Sequence, residues 1–132
     1  SAMTIASTIM NTLNSRLAQL SSLPPTAWPN VPFTPATGTL WIRPDLLPAD
    51  SALETLQNSE EHLGVYQVSV FTPLDKGTGA ALVQADTIAD HFAADRDLSG
   101  LRIRSISVGQ PMREESWLMV PVSIEYRVHH TR

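Results

Sequence analysis

The chain contains no cysteine in its 132 residues. Disulfide frameworks, thiolate nucleophiles and cysteine-ligated zinc are therefore excluded. The composition fits a reducing cytoplasm, although a lack of cysteine does not by itself set a compartment. Lysine is nearly absent as well. Lys76 is the only one, and the other eight basic residues are arginines. Arginine is favoured where planar contacts to carboxylates or backbone matter, as at protein interfaces; a GC-rich genome produces the same bias. Positive charge is in deficit overall, with a formal net charge of −4, which weighs against a general nucleic-acid binder. No apolar run approaches the roughly 20 residues that span a bilayer, so no membrane contact is expected. The start, Met3-Thr4-Ile5, lacks a basic segment and a continuous apolar core, so no signal peptide is expected. Ser1-Ala2 before Met3 reads as a cloning scar.

Catalytic signatures are missing too. The histidines are His62, His91, His129 and His130. His91 follows Asp90, with Asp86 five residues before it and Asp95 four after, but the HExxH spacing of a helical zinc site is absent. The apolar face of its helix is Leu82, Ala85, Ile88, Ala89 and Phe92, which places His91 toward solvent as an ordinary exposed histidine. His129-His130 belongs to a terminal tail of the kind that frays. Lys76-Gly77-Thr78-Gly79 is not a phosphate loop, because the P-loop requires GxxxxGK[ST] and here the lysine precedes the glycine. Its glycines serve to turn the chain from strand into helix, and the N–H groups they expose bind an anion weakly at best. Glu60-Glu61 and Glu114-Glu115 are carboxylate pairs in loops without the burial that tunes an acid–base pair. They read as solvated faces or partner contacts. No enzymatic activity, cofactor or metal site is expected.

What is present is a foldable pattern. At 42% hydrophobic residues the chain can build a core, and residues 3–132 are expected to form one domain. Ile5, Ile9, Leu13, Leu17 and Leu20 share a helical face with Met10 beside it, which predicts a helix over residues 4–21 with Thr4 or Ser7 as its cap. Pro24 and Pro25 stop it. Residues 26–50 are broken by Pro29, Pro32, Pro35, Pro44 and Pro48, so they are expected to meander or form an edge strand. Within them residues 39–43 have strand composition, Trp28, Phe33 and Trp41 are expected anchors, and residues 46–50 read as a turn. Residues 51–62 are expected to be a loop with one helical turn at most.

The most informative stretch is residues 64–92. Tyr66, Val68 and Val70 alternate with Gln67 and Ser69, Pro73 ends the strand, a polar loop follows, and Ala81, Leu82, Ala85, Ile88, Ala89 and Phe92 mark an amphipathic helix. Residues 93–100 read as a turn. Residues 101–108 form a strand whose apolar parity switches between Leu101 and Ile103 on one side and Ile106 and Val108 on the other, pointing to a bulge near Arg104-Ser105 or to burial on both faces. Residues 109–116 read as a charged turn. Residues 117–128 form the last strand, apolar at every even position, with Pro121 requiring an edge or a bulge. The last two strands should pair as an antiparallel hairpin. The expected fold class is α+β: a mainly antiparallel, four- to five-stranded sheet with two main helices packed on one face.

Three segments together carry a resemblance. These are FTPATGTLWIRPDLLPA at residues 33–49, the strand, glycine loop and helix of residues 64–92, and WLMVPVSIEYR at residues 117–127. In this order they resemble the tail terminator and tail completion proteins of long-tailed bacteriophages. The resemblance implies a structural virion protein, a homo-hexameric ring that caps the tail tube, stops its polymerisation and offers a surface to the head. The implied partners are other copies of the chain, the tail tube protein and a head completion or connector protein. The ring lumen would pass DNA without reading its sequence, and the free protein could stay monomeric until it meets a tube. The implied location is the head-proximal end of the virion tail, after assembly in the bacterial host cytoplasm. Two other readings compete. One is a head–tail connector or neck protein. The other is a small-molecule-binding α+β module, which would need polar groups converging on a pocket.

The resemblance supplies no residue-by-residue contact map. Candidate interface residues therefore come from loops and charged strand faces: Asp75 and Lys76, Arg102 and Arg104, and Arg113, Glu114 and Glu115. Tube and connector contacts are expected on residues 57–62, 74–79 and 112–115. The proline-rich strand is expected to be the edge most available to a neighbouring subunit.

Overall fold

Residues 5–54, 59–76 and 78–131 are described by the computed structural model. The even-numbered apolar residues of the last strand organise everything else. Strand β6 (Trp117–Thr131) runs through the middle of a sheet with strand order β1-β2-β6-β4-β3, and β5 also pairs with β6. The other strands are β1 (Trp41–Glu54), β2 (Ser59–Pro73), β3 (Asp97–Leu98), β4 (Leu101–Val108) and β5 (Met112–Glu114). All strand pairs are antiparallel. Helices α1 (Ile5–Ala18) and α2 (Gly79–Ala93) cover one face. The α+β class, the antiparallel sheet and the two helices on one face match the expectation, and the short β3 and β5 raise the strand number to six.

The core lies between that face and the helices. Val68 pairs with Val122, Val70 with Val120 and Tyr66 with Ile124, so the alternation of two strands adds up to one apolar surface. Ile9, Leu13 and Leu17 of α1 and Ala81, Ala85, Ile88 and Phe92 of α2 close over it. Leu13, Leu17, Ile88 and Phe92 are fully buried, each stabilising by about 1.5–3 kcal/mol through area removed from water. Tyr66 lies beneath the helices and donates its hydroxyl to Asn14 Oδ1 at 2.5 Å. Helix α1 ends as expected before the prolines, with tightened bonds from Gln19 N–H to the Arg16 carbonyl and from Leu20 N–H to the Leu17 carbonyl. Ser7 lies inside α1 rather than at its cap, because the helix already runs from Ile5; Thr4 lies outside the described residues.

Several expectations are corrected. Residues 46–50 are not a turn, and residues 51–54 and 59–62 are not a loop. They belong to β1 and β2, which form one long hairpin against β6. Their backbone groups are satisfied by ladder pairing, which side-chain alternation does not report. Residues 57 and 58 lie outside the described residues. Residues 109–116 hold strand β5, paired from Met112↔Met119 to Glu114↔Trp117, before a two-residue turn. Pro121 sits in a central strand, not at an edge. Its carbonyl accepts from Gly109 N–H at 2.8 Å, so its missing donor faces the gap between β4 and β5, where no ladder bond is due. Gly109 is required there, since an added Cβ would stand 2.7 Å from Pro121 Cγ. The bulge expected near Arg104-Ser105 is present as a register shift between Ile103 and Ser105. It returns Ile106 and Val108 to the helix side.

Candidate functional site

The edge of β1 is less available than its prolines suggested. Ile42 N–H donates to the Pro25 carbonyl at 2.9 Å, and the Ile42 carbonyl accepts from Ala27 N–H at 2.8 Å. Ile42 therefore points its backbone outward, and so do Pro44 and Pro48 at the same parity. The edge is covered at Ile42 and has no donor at either proline. The proline-rich strand lies at the sheet edge, as expected.

No helix covers the other face of the sheet, and that face is not uniform: Trp41, Phe71 and Met119 are buried there as a second small core, with Ala27, Phe33 and Trp117 packed on it. One end is aromatic. Trp41 stacks on Phe71 with ring centroids 4.0 Å apart and planes 8° apart, and Trp117 meets Trp41 edge-on at 5.7 Å. Phe33 packs on Trp41 at 5.3 Å, and Met119 completes the cluster. The Arg43 guanidinium lies 5.1 Å from the Phe71 centroid and bonds Asp45 Oδ2 at 3.0 Å. A cleft of about 320 Å³ opens beside these rings, with Glu114 and Glu115 on its rim. The middle of the face is small and polar: Gln67 donates to Ser69, and Pro121, Ser107 and Ser123 continue it. At the far end Ser105 donates to Glu125 Oε2 at 2.7 Å, and Arg102 stands directly opposite Arg127.

The seven candidate interface residues thus fall into two groups. Asp75, Arg113, Glu114 and Glu115 gather at one end, because Pro73 at the end of β2 pairs with Trp117 at the start of β6. Lys76 closes the short 3₁₀ turn there (Leu74–Lys76); its side chain and Gly77 lie outside the described residues. Arg102 and Arg104 lie at the other end, both exposed on the face that no helix covers. Trp117 and Arg127 stand ten residues apart on β6, about 33 Å of extended strand. Glu115 also adopts φ 53°, a left-handed conformation uncommon for a residue with a side chain.

His91 differs from its expectation. It is half-buried, and its Nε2 bonds the Arg16 carbonyl at 2.6 Å. A carbonyl only accepts, so Nε2 carries a proton. In return Arg16 donates to the His91 carbonyl at 2.5 Å. Each helix thus caps the other's C-terminal carbonyls with a cationic or polar side chain from its own last turns. The clasp borders a polar groove of about 450 Å³ lined by Asn11, Ser15, Gln19, Asp95 and Asp97. Burial, with a smaller push from the Asp45 carboxylate, holds the Tyr66 phenol protonated far above its ordinary range, and burial raises Tyr126 as well. Among the described residues no group of three or more metal-ligating side chains assembles, and no helix is long and apolar enough to cross a membrane.

Phe33 and Trp41 act as anchors, as expected, but sequence reasoning did not place Phe71, Trp117 and Met119 with them. The signal was there: Phe71, Trp117 and Met119 fall on the parity opposite the core run. The Arg16–His91 clasp had no sequence signal, since 75 residues separate its partners.

Comparison with known proteins now bears on this geometry. A family profile of phage tail terminator proteins matches residues 8–126. A solved structure with 28% sequence identity covers 94% of this chain and 92% of its own, with a TM-score of 0.65. None of the curated proteins matches the sequence. With nearly its whole length matched, the chain belongs to the phage tail terminator family and is a structural protein of the phage tail.

Proposed function

We propose that this chain forms a ring, a hexamer in the virion, that caps the tail tube at its head-proximal end, stops addition of tube subunits and presents the surface to which the head joins. The observation that carries this reading is a family match over residues 8–126 joined to a sheet face that no helix covers and whose ends carry opposite charge. The exposed acids of the β5–β6 turn and the exposed arginines of β4 stand at opposite ends of that face, as suits contact with neighbours. The turn bearing Asp75 and Lys76 and the β5–β6 hairpin bearing Arg113 and Glu115 lie at the same end of the sheet. They suit contact with the tube or the connector, as loops on a rigid scaffold do. Assembly takes place in the host cytoplasm, and the ring lumen passes DNA without base-specific contacts.

The test uses polymerising tail tube protein. Added in slight excess, the chain is expected to stop elongation at one tube end. An Arg113→Glu/Glu115→Arg variant is expected to stay folded and to stop tubes poorly. Tubes that grow to the same length with and without the wild-type chain would refute the capping role.

A further inference from the structure

We infer that the arginine-bearing end of one copy docks on the acid-rimmed aromatic cleft of the next. The inference rests on the ring reading above and names the contact that builds the ring. Glu114 and Glu115 are exposed and form no ion pair with a described residue. The cation nearest the rings, Arg43, is already committed to Asp45 and to the face of Phe71. The cleft therefore presents two unmatched carboxylates beside the half-buried Trp117 ring, with Trp41 and Phe71 buried at its base. The complementary group is a guanidinium, which stacks on rings and bonds carboxylates through its planar fork.

The chain carries that group at the far end of the same face. Arg102 and Arg104 are exposed on β4 and make no ion pair with a described residue. Arg96 adds a third arginine by donating to the Arg104 carbonyl at 3.2 Å. Within one molecule the acid and arginine ends cannot meet across about 33 Å. Between two molecules they can. Sheet extension through β1 is a poor alternative, because that edge is covered at Ile42 and has no donor at Pro44 or Pro48. A contact between two different patches is head-to-tail, so it repeats from copy to copy and closes as a ring when the rotation permits.

The absence of cysteine makes the test clean. Arg102→Cys and Glu114→Cys variants are prepared separately and treated with a short bis-maleimide, which spans an arginine–carboxylate contact that a direct disulfide would not reach. The mixture is expected to give a covalent dimer joining one chain of each kind, while either variant alone stays uncrosslinked. In about 1 M salt, where the screening length falls to about 3 Å, the yield should drop. A second arm avoids cysteine. The Arg102→Glu/Arg104→Glu variant and the Glu114→Arg/Glu115→Arg variant should each fail to associate alone and should associate when mixed, with circular dichroism confirming their folds. No mixed crosslink overturns the inference. So does a homodimer from one variant alone, which would reveal a two-fold contact instead. Tube arrest is scored separately. A chain that stops tubes but gives no mixed crosslink sinks the pairing and leaves the cap. A chain that crosslinks but does not stop tubes sinks the cap and leaves the pairing.

Discussion

Replacing Gly64 with alanine is expected to destabilise the protein by about 1–2 kcal/mol, although alanine is the better residue in a generic position. Gly64 pairs with Tyr126 across the β2–β6 ladder, and the Tyr126 ring lies over it. A Cβ built on Gly64 would stand 2.7 Å from Tyr126 Cζ and nearer still to the hydroxyl. Ordinary contact begins at 3.4 Å and the hydroxyl would stand at 2.4 Å, so the ring must retreat by about 1 Å. It has nowhere to go: Tyr126 is 1% exposed and is flanked on its other side by Ile103. Overpacking of this kind costs about 1–3 kcal/mol. The stiffer unfolded chain returns about 0.4–1 kcal/mol of that. The assay is urea unfolding, with Gly79→Ala as the control. Gly79 opens α2, and an added Cβ there meets nothing within 4 Å, so the same substitution should be stabilising by a few tenths to about 1 kcal/mol. Trimming the ring with Tyr126→Leu should shrink the Gly64→Ala penalty in a double-mutant cycle. If Gly64→Ala proves neutral or stabilising while Gly79→Ala behaves as expected, the close approach of Tyr126 is refuted.

The helix clasp predicts that Arg16→Ala and His91→Ala each lower stability by about 1–2 kcal/mol, as loss of a bond to a buried-side carbonyl does. A change in unfolding free energy of less than a few tenths of a kcal/mol for both would contradict the clasp. The tyrosines predict alkaline sensitivity. A phenol whose folded pKa is raised stabilises fully below its unfolded value of about 10, and the contribution is lost as pH rises above that. Stability should therefore fall above about pH 10 by up to about 1.4 kcal/mol per pH unit for each such tyrosine. A spectrophotometric titration in which both phenols ionise near 10 in the folded protein would refute this.

Much of the fold was legible because two strands and two helices each keep a single clean period. Tyr66, Val68 and Val70 face Ile124, Val122 and Val120, so both alternations report the same core surface. The hairpin arm was not legible. Residues 51–54 and 59–62 are mostly polar, and what holds them extended is backbone pairing with β6, which leaves no mark on side-chain pattern. Pro44 and Pro48 concealed β1 for a related reason: an edge strand tolerates proline wherever the missing donor points outward, so a strand of 14 residues can look like a broken meander. Pro121 misled in the opposite direction. A central strand accommodates it only because Gly109 and the gap between β4 and β5 remove the need for its N–H, and that compensation lies 12 residues away. The surface was half legible. The charged residues could be picked out, but their division into an acidic and an arginine end follows from the register of β6 against β2, β4 and β5.

The central claim is that the chain ends tail growth from the head side. It is tested most directly by electron microscopy of lysates from the source phage with this gene disrupted. The account predicts overlong tails without heads. Normal-length tails that fail to join heads would contradict it and place the protein at the neck, and intact infectious particles would contradict a tail role altogether.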